Sequence, residues 1–122
     1  MSSTLVFVYG TLKRGLSNHG WLRGQTFVGE VCTVQRYRMF DLGGYPGMVL
    51  ADEGEGGAIE GEVWAVDEEG LRGLDRLEGV AEGEYAFEPV RLEGTWEEEA
   101  VKGYLYLRPV KGCREVKGRW VE

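Results

Sequence analysis

The sequence contains few of the residues that build metal centres or disulfide frameworks. Its 122 residues include only two cysteines and one histidine. Cys32 and Cys113 lack the close spacing of zinc ligands, and no cysteine or carboxylate cluster stands beside His19 in the sequence. We therefore predict no metal site. We interpret the cysteines as two free thiols, which are typical of a cytoplasmic protein.

Long hydrophobic runs are also missing. The longest apolar run, Leu5 to Tyr9, is far shorter than the roughly 20 residues that a membrane-spanning helix requires. No basic segment followed by an extended apolar segment opens the chain, so we expect neither a secretory signal nor contact with a membrane. The length and the apolar content of 43% suffice for one hydrophobic core. We expect a single domain over residues 1–122.

Basic residues are scarce in the middle of the chain. Residues 41–100 contain three Lys or Arg and eighteen Asp or Glu, and the whole chain has a net charge of −7. An acidic chain without a basic stripe repels phosphate backbones, so we expect no nucleic-acid binding. We interpret the acidic middle as a solvated surface that maintains solubility. A docking surface for a basic partner is the alternative interpretation.

Glycine is abundant, and 20 glycines divide the chain into short segments. Six segments are apolar, rich in β-branched and aromatic residues, or alternating in polarity, which are the patterns of β-strands. They span residues 5–9, 27–34, 35–41, 59–66, 86–92 and 100–107. Pro89 cannot donate to a sheet ladder, so the fifth segment is predicted to be an edge strand or to contain a bulge. The stretch "EGTWEEE" from Glu93 predicts a turn.

One segment clearly predicts a helix. Asp67 is a suitable N-cap, leucines recur at every third position after it, and Gly79 is a suitable C-terminal stop. The leucines are Leu71, Leu74 and Leu77. A further helical turn is predicted at residues 19–23. Together these elements predict an α+β fold, in which one main helix packs on a small, mixed, barrel-like β-sheet of about six strands.

The first candidate site is the loop "VYGTLKRG", which follows the first predicted strand. A buried strand that ends at a glycine, here Gly10, leaves successive main-chain N–H groups without ladder partners, and such groups can bind an anion or an oxyanion. The spacing differs from that of a nucleotide-binding P-loop because Leu16 and Ser17 follow the second glycine, Gly15. A purely structural tight turn is equally compatible with this pattern.

The second candidate is Glu78, at the C-terminal end of the predicted helix. The helix dipole disfavours a negative charge there, and an apolar stripe precedes the residue, so we expect its pKa to be raised. A general base that works near neutral pH needs a raised pKa. The alternative is a surface carboxylate, because the surrounding sequence is rich in acidic residues. We interpret Asp75, one turn earlier, as facing water or pairing with Arg72.

Several motifs together resemble the γ-glutamylcyclotransferase-like superfamily. They are "VFVYGTLKRG" from Val6, "NH" at residues 18–19, "YPG" at residues 45–47, "EGEVWAVDEEGLRGLDRLEG" from Glu60, and Tyr85. The strand motif YGTLKRG and the helix motif LxxLEG occur in the order that the family shows. The N-terminal motif most resembles that of the γ-glutamylamine cyclotransferases and their bacterial relatives.

The resemblance implies a small mixed β-barrel and a reaction without a cofactor. The α-amino group of a γ-glutamyl amine or peptide attacks its own γ-carbonyl group, which releases 5-oxoproline and an amine. Glu78 matches the family's catalytic glutamate, and Tyr85 and, more weakly, Tyr106 match tyrosines near the substrate. The substrate-binding loop corresponds to Tyr9, Gly10, Thr11 and Leu12. A small-ligand-binding module without catalysis is the alternative function.

Overall fold

A single curled β-sheet with one helix on its face forms the framework of the protein. The computed structural model describes residues 3–96 and 100–122. The elements in chain order are β1 (Thr4–Val8), β2 (Thr26–Cys32), β3 (Tyr37–Asp41), β4 (Pro46–Leu50), β5 (Glu60–Val66), α1 (Glu68–Leu77), β6 (Tyr85–Pro89), β7 (Val101–Tyr106) and β8 (Arg114–Val116). Short 3-10 turns lie at His19–Leu22 and Gly94–Trp96. The predicted α+β class is confirmed.

The order of the strands creates a junction beside β7. The main path of the sheet is β2-β5-β1-β7-β4-β3-β8, and β6 pairs with β7 off this path. β1 runs parallel to the first half of β7, and β4 runs parallel to β7 at Leu105. Since β6 occupies one edge of β7, β1 and β4 must share the other edge. The chain therefore leaves β1 at Val8 close to the start of β4.

β1 is covered on both faces, as its apolar sequence predicts. Successive side chains of a strand point to opposite faces. Val6 and Val8 belong to the hydrophobic cluster that contains Leu74 of α1, whereas Phe7 belongs to the cluster enclosed by the curl of the sheet. Phe7 is completely buried. This strand therefore joins the two halves of the core.

The helix begins and ends where the sequence predicts. The Asp67 carboxylate accepts a hydrogen bond from the Gly70 N–H at 2.7 Å, which caps the N-terminus of α1. Leu74 is fully buried against the sheet, and Gly79 follows the C-terminus with a φ of +66°. Within the two described ranges, no helix has the length and apolar character needed to cross a membrane.

The prediction of six strands misses two. β4 was missed because it begins with Pro46 and Gly47, which are turn-forming residues, and β8 because it has only three residues. The prediction that Pro89 lies in an edge strand is confirmed, since β6 pairs only with β7 among the described strands. Of the turn predicted from Glu93, residues 97–99 lie outside the described residues.

Candidate active site

A cavity of about 360 Å³ opens where β1, β4 and the end of α1 meet. This volume lies in the range of small-molecule sites. Six of the seven residues predicted for the site line it. These six are Tyr9, Gly10, Thr11, Leu12, Glu78 and Tyr85. The fold therefore brings the two candidate sites of the sequence to one place.

The loop after β1 presents unpaired main-chain donors at the cavity wall. The Lys13 N–H donates to the Gly10 carbonyl oxygen at 3.1 Å, which closes a turn with Thr11 and Leu12 at its centre. The N–H groups of Gly10, Thr11 and Leu12 have no acceptor among residues 3–96 and 100–122. All three residues are buried. Because buried N–H groups are rarely left unpaired, this loop is suited to bind an anionic or carbonyl oxygen of a ligand.

Asn18 and His19 hold this loop in place, and Asn18 also lines the cavity. The Asn18 side-chain amide donates to the Thr11 hydroxyl oxygen at 3.0 Å, and the Asn18 N–H donates to the Thr11 carbonyl oxygen at 2.9 Å. The His19 Nδ1 lies 3.1 Å from the Leu12 carbonyl oxygen, and the His19 ring packs against Trp64. The "NH" pair of the sequence therefore positions the loop, and His19 itself does not line the cavity.

Tyr9 and Gly10 allow the loop to pass close to β4. A Cβ atom on Gly10 would lie 2.5 Å from Cγ of Pro46, so the close approach requires glycine. The Tyr9 hydroxyl donates to the Tyr104 carbonyl oxygen at 2.7 Å and accepts from the Met48 N–H at 3.0 Å. It thus joins β7 and β4 at the junction. This hydroxyl already donates its one proton to a main-chain oxygen, so it has no proton left to donate to a ligand.

The end of α1 fixes the position of Glu78. The Gly79 N–H donates to the Arg76 carbonyl oxygen at 3.2 Å, and the Val80 N–H donates to the Asp75 carbonyl oxygen at 3.1 Å. These two bonds, together with the positive φ of Gly79, form a Schellman motif. Glu78 is the C-cap residue of α1, directly before the chain reverses at Gly79. The motif fixes the backbone on either side of Glu78, and its side chain lines the cavity.

Glu78 lies in an environment that favours its protonated form. Burial raises the pKa of its carboxyl group to about 7, and the nearby negative charge of Glu84 adds to this effect. The direction agrees with the expectation from the sequence, and the main cause is burial. A carboxyl group with this pKa can accept a proton and return it near neutral pH.

Two further tyrosines line the cavity as neutral phenols. The Tyr85 hydroxyl donates to the Pro46 carbonyl oxygen at 2.7 Å, and the Tyr104 hydroxyl donates to the Asp75 carboxylate at 2.7 Å. Burial is the main cause that raises the pKa of both phenols. Asp75 raises the pKa of Tyr104 further, and the charge of Glu78 adds a smaller contribution to both. Tyr104 was not predicted as a site residue, because its position depends on the pairing of β7 and no local motif marks it.

The expected environment of Asp75 is corrected by the structure. Its carboxylate accepts the hydrogen bond from Tyr104 and does not pair with Arg72. Arg72 instead pairs with Glu68, one turn earlier on α1, at 3.1 Å. The spacing along α1 allows Arg72 to pair with Glu68 or with Asp75. Because β7 lies next to α1, Asp75 instead accepts the hydrogen bond from Tyr104.

Tyr106 is the one predicted site residue that does not line the cavity. Its ring packs edge-on against the ring of Tyr85, with 5.2 Å between the centroids. It also passes over β4, where a Cβ atom on Gly47 would lie 2.9 Å from the Tyr106 ring. Tyr106 therefore supports Tyr85 from behind, and any influence on a ligand is indirect.

The rim of the cavity includes the tyrosine of the YPG motif, which was not among the predicted site residues. Tyr45, on the hairpin between β3 and β4, donates a hydrogen bond from its hydroxyl to the Glu84 carboxylate at 3.3 Å. The basic pair of the loop points elsewhere. Lys13 donates to the Trp120 carbonyl oxygen, and Arg14 forms ion pairs with Glu30 and Glu62. The charged side chains that line the cavity are consequently acidic.

No metal centre is visible in the described part of the chain. Residues 3–96 and 100–122 contain no group of three or more His, Cys, Asp or Glu side chains arranged to hold a metal ion. Cys32 and Cys113 are both free thiols. Neither cysteine lines the cavity that contains Glu78.

Comparison with known proteins identifies the family. The model of the family described as "Gamma-glutamyl cyclotransferase, AIG2-like" matches residues 6–122. The chain belongs to this family. Within the γ-glutamyl cyclotransferase family, it is 31% identical over 120 residues to the family protein YtfP of Escherichia coli K12, and the match covers 96% of each chain.

The chain spans less than two thirds of the length of three other relatives. A provisionally named γ-glutamylcyclotransferase of Vibrio cholerae is 49% identical over 76 residues, which cover 62% of this chain and 63% of that protein. A rat protein named gamma-glutamylaminecyclotransferase is 41% identical over 80 residues, which cover 61% of this chain and 54% of that protein. The match to a relative from Arabidopsis thaliana likewise spans 63% of that protein's length.

A solved structure of a family member has the same fold. The crystal structure of a mouse AIG2-like protein superimposes with a TM-score of 0.73 at 27% identity, covering 92% of this chain and 81% of the mouse chain. The curled sheet and its helix are therefore those of the γ-glutamyl cyclotransferase family, as the motifs of the sequence predict.

Proposed function

We propose that this protein is a γ-glutamyl cyclotransferase that releases 5-oxoproline and an amine from a γ-glutamyl amine or a γ-glutamyl peptide. One observation carries the proposal. Glu78, with a pKa of about 7, lines the same cavity as the unpaired N–H groups of the loop Gly10–Leu12. The names of the relatives, including the rat gamma-glutamylaminecyclotransferase, support the substrate class.

The first step of the proposed mechanism is a proton transfer to Glu78. An α-amino group has a pKa of about 8, so it is mainly protonated at neutral pH and cannot attack a carbonyl group. The Glu78 carboxylate takes one proton from this ammonium group. The free amine then attacks the γ-carbonyl carbon of the same molecule, and the new C–N bond closes a five-membered ring. Because the reaction is intramolecular, the cavity mainly has to hold the substrate in a folded geometry.

The loop and Glu78 complete the reaction. As the ring closes, the γ-carbonyl oxygen gains a negative charge, and the N–H groups of Gly10, Thr11 and Leu12 are the donors we assign to it or to the substrate carboxylate. One such donor lowers a barrier by about 3–4 kcal/mol. Protonated Glu78 then gives its proton to the departing nitrogen, and the regenerated carboxylate takes the extra proton from the ring nitrogen. The bond to the departing nitrogen breaks, and Glu78 passes this second proton to the released amine, which leaves as an ammonium ion. These steps consume neither water nor a cofactor.

Release of 5-oxoproline from a panel of γ-glutamyl amides and peptides tests the proposal. We expect wild-type protein to release it and Glu78→Gln to lower kcat by about a hundredfold or more, because general-base catalysis contributes about that much. Glu82→Gln is the control, since Glu82 is an exposed glutamate in the same connection that does not line the cavity. Equal turnover by Glu78→Gln would remove Glu78 from this role, and binding without any product would favour the non-catalytic alternative.

A further inference from the structure

The charges of the cavity are unbalanced. Glu78 and Glu84 are the charged side chains in its lining, and no lysine or arginine accompanies them there. Lys13 and Arg14 follow the binding loop directly, but they contact the C-terminal segment and two glutamates away from the cavity. A bound molecule therefore meets two carboxyl groups, and no cationic side chain of the lining is available to its own negative groups. Arg108 lies near Tyr45, where its charge opposes the rise in the pKa of that phenol, but it does not line the cavity.

Glu84 lies where a leaving group would emerge. The inner wall of the cavity is formed by buried residues such as Phe7 and Tyr104, whereas Tyr45 at the rim is 40% exposed. The Tyr45 hydroxyl donates to the Glu84 carboxylate at 3.3 Å. In the proposed reaction the glutamyl part is constant and must reach Glu78 and the loop. With the glutamyl part at the inner wall, the variable amine would extend past the exposed Tyr45 and its partner Glu84.

We propose that Glu84 is a specificity-determining residue that favours γ-glutamyl amines whose leaving group carries a second, positively charged amine. The inference rests on the proposed function. An ammonium group near Glu84 is attracted to the carboxylate, whereas a carboxylate on the leaving group is repelled in a partly desolvated site. The hydrogen bond from Tyr45 holds the Glu84 side chain at the opening. The preferred class is thus a γ-glutamyl diamine or polyamine rather than a γ-glutamyl amino acid.

Three substrates of equal chain length test this inference. They are the γ-glutamyl amides of 1,4-diaminobutane, butylamine and 4-aminobutanoate, whose distal ends are cationic, neutral and anionic. We expect wild-type kcat/KM to fall in that order. Glu84→Gln keeps the shape of the side chain and is expected to reduce the ratio of cationic to anionic kcat/KM by about tenfold. Added salt should also reduce the wild-type ratio, because salt screens partly exposed charges.

The ratio isolates the effect of Glu84 on the leaving group. Any change that Glu84→Gln causes in Glu78 is shared by all three substrates and cancels. Glu82→Gln is the matched control, since it removes an equal charge two residues earlier in the chain and outside the cavity, and its ratio should stay within about twofold of wild type. A ratio unchanged by Glu84→Gln overturns the inference, while 5-oxoproline release in the same assay leaves the proposed function intact.

Binding gives a second readout that does not need turnover. Calorimetric titration of the three compounds into Glu78→Gln, and into the same variant carrying Glu84→Gln, measures the charge preference alone. Tighter binding of the cationic compound that is lost in the double variant supports the inference even if no 5-oxoproline forms. Equal binding of all three compounds, or no binding of any, overturns it.

Discussion

At the scale of single residues, Glu78 lies in surroundings that oppose its ionisation. Burial and the neighbouring Glu84 raise its pKa to about 7, whereas an exposed glutamate ionises well below that pH. The charged form therefore destabilises the folded protein near neutral pH. Residues with such perturbed protonation concentrate at functional sites, where the ability to exchange a proton compensates for the lost stability.

The pH dependence of activity follows from this environment. Glu78 must be deprotonated to act as a base, so kcat/KM should rise with pH through an apparent pKa of about 7. Since the charge of Glu84 contributes to the raised pKa, Glu84→Gln should move this limb to lower pH. The measurement is kcat/KM for the γ-glutamyl butylamide between about pH 5 and pH 9, a range that brackets the pKa of about 7 of Glu78.

A second variant serves as the control for this dependence of kcat/KM on pH. Glu82→Gln removes a nearby but exposed carboxylate and should leave the limb in place. An acid limb near the ordinary glutamate pKa of about 4.3, or one that Glu84→Gln does not move, would contradict the assigned environment of Glu78.

At the scale of elements, the C-terminal turn of α1 aims Glu78. Gly79 adopts a φ of +66°, and a Cβ atom on it would lie 3.0 Å from a Glu84 carboxylate oxygen. Gly83, four residues later, adopts a similar φ of +75° but has nothing within 4 Å of a Cβ position. The two glycines therefore share the same backbone requirement. Gly79 directly follows the proposed base Glu78, whereas Gly83 precedes Glu84 and lies five residues from Glu78.

These two glycines give a matched pair of substitutions. Gly79→Ala and Gly83→Ala should each reduce the free energy of unfolding by about 1–2 kcal/mol, because alanine is strained at positive φ. Gly79→Ala should in addition reduce kcat by at least about tenfold, since it disturbs the Schellman motif and hence Glu78. Urea unfolding and 5-oxoproline release measure the two effects. Equal kcat values for the two variants would show that the turn does not position Glu78.

The sequence predicts the site as far as its residues form local motifs. Glu78 follows a helix that the spacing of its leucines predicts. The loop Gly10–Leu12 follows a buried strand that its apolar run predicts. Tyr104 and Glu84 could not be found in this way. Tyr104 reaches the cavity through the parallel pairing of β7 with β1 and β4, and Glu84 lies in an acidic stretch where sequence alone cannot separate the rim from the surface.

At the scale of the whole molecule, the curl of the sheet encloses a core that the C-terminal segment helps to close. Trp120 is 6% exposed and belongs to the enclosed cluster with Tyr9 and Met48. Lys13 donates to the main-chain oxygen of Trp120 at 2.7 Å. The segment therefore connects the core to the loop that begins at Gly10. No local pattern in the sequence predicts this contact, which joins residues 107 positions apart.

Trp120 should contribute more to stability than an exposed tryptophan does. Replacing a buried tryptophan by alanine costs about 3–5 kcal/mol. The indole Nε1 of Trp120 has no hydrogen-bond partner among the described residues, and removing this unpaired donor offsets part of that loss. We therefore expect Trp120→Ala to lower the free energy of unfolding by about 3 kcal/mol. Trp21, which is 46% exposed, is the control, and Trp21→Ala should cost less than about 1 kcal/mol. Urea denaturation followed by circular dichroism measures both, and equal losses would show that Trp120 does not close the core.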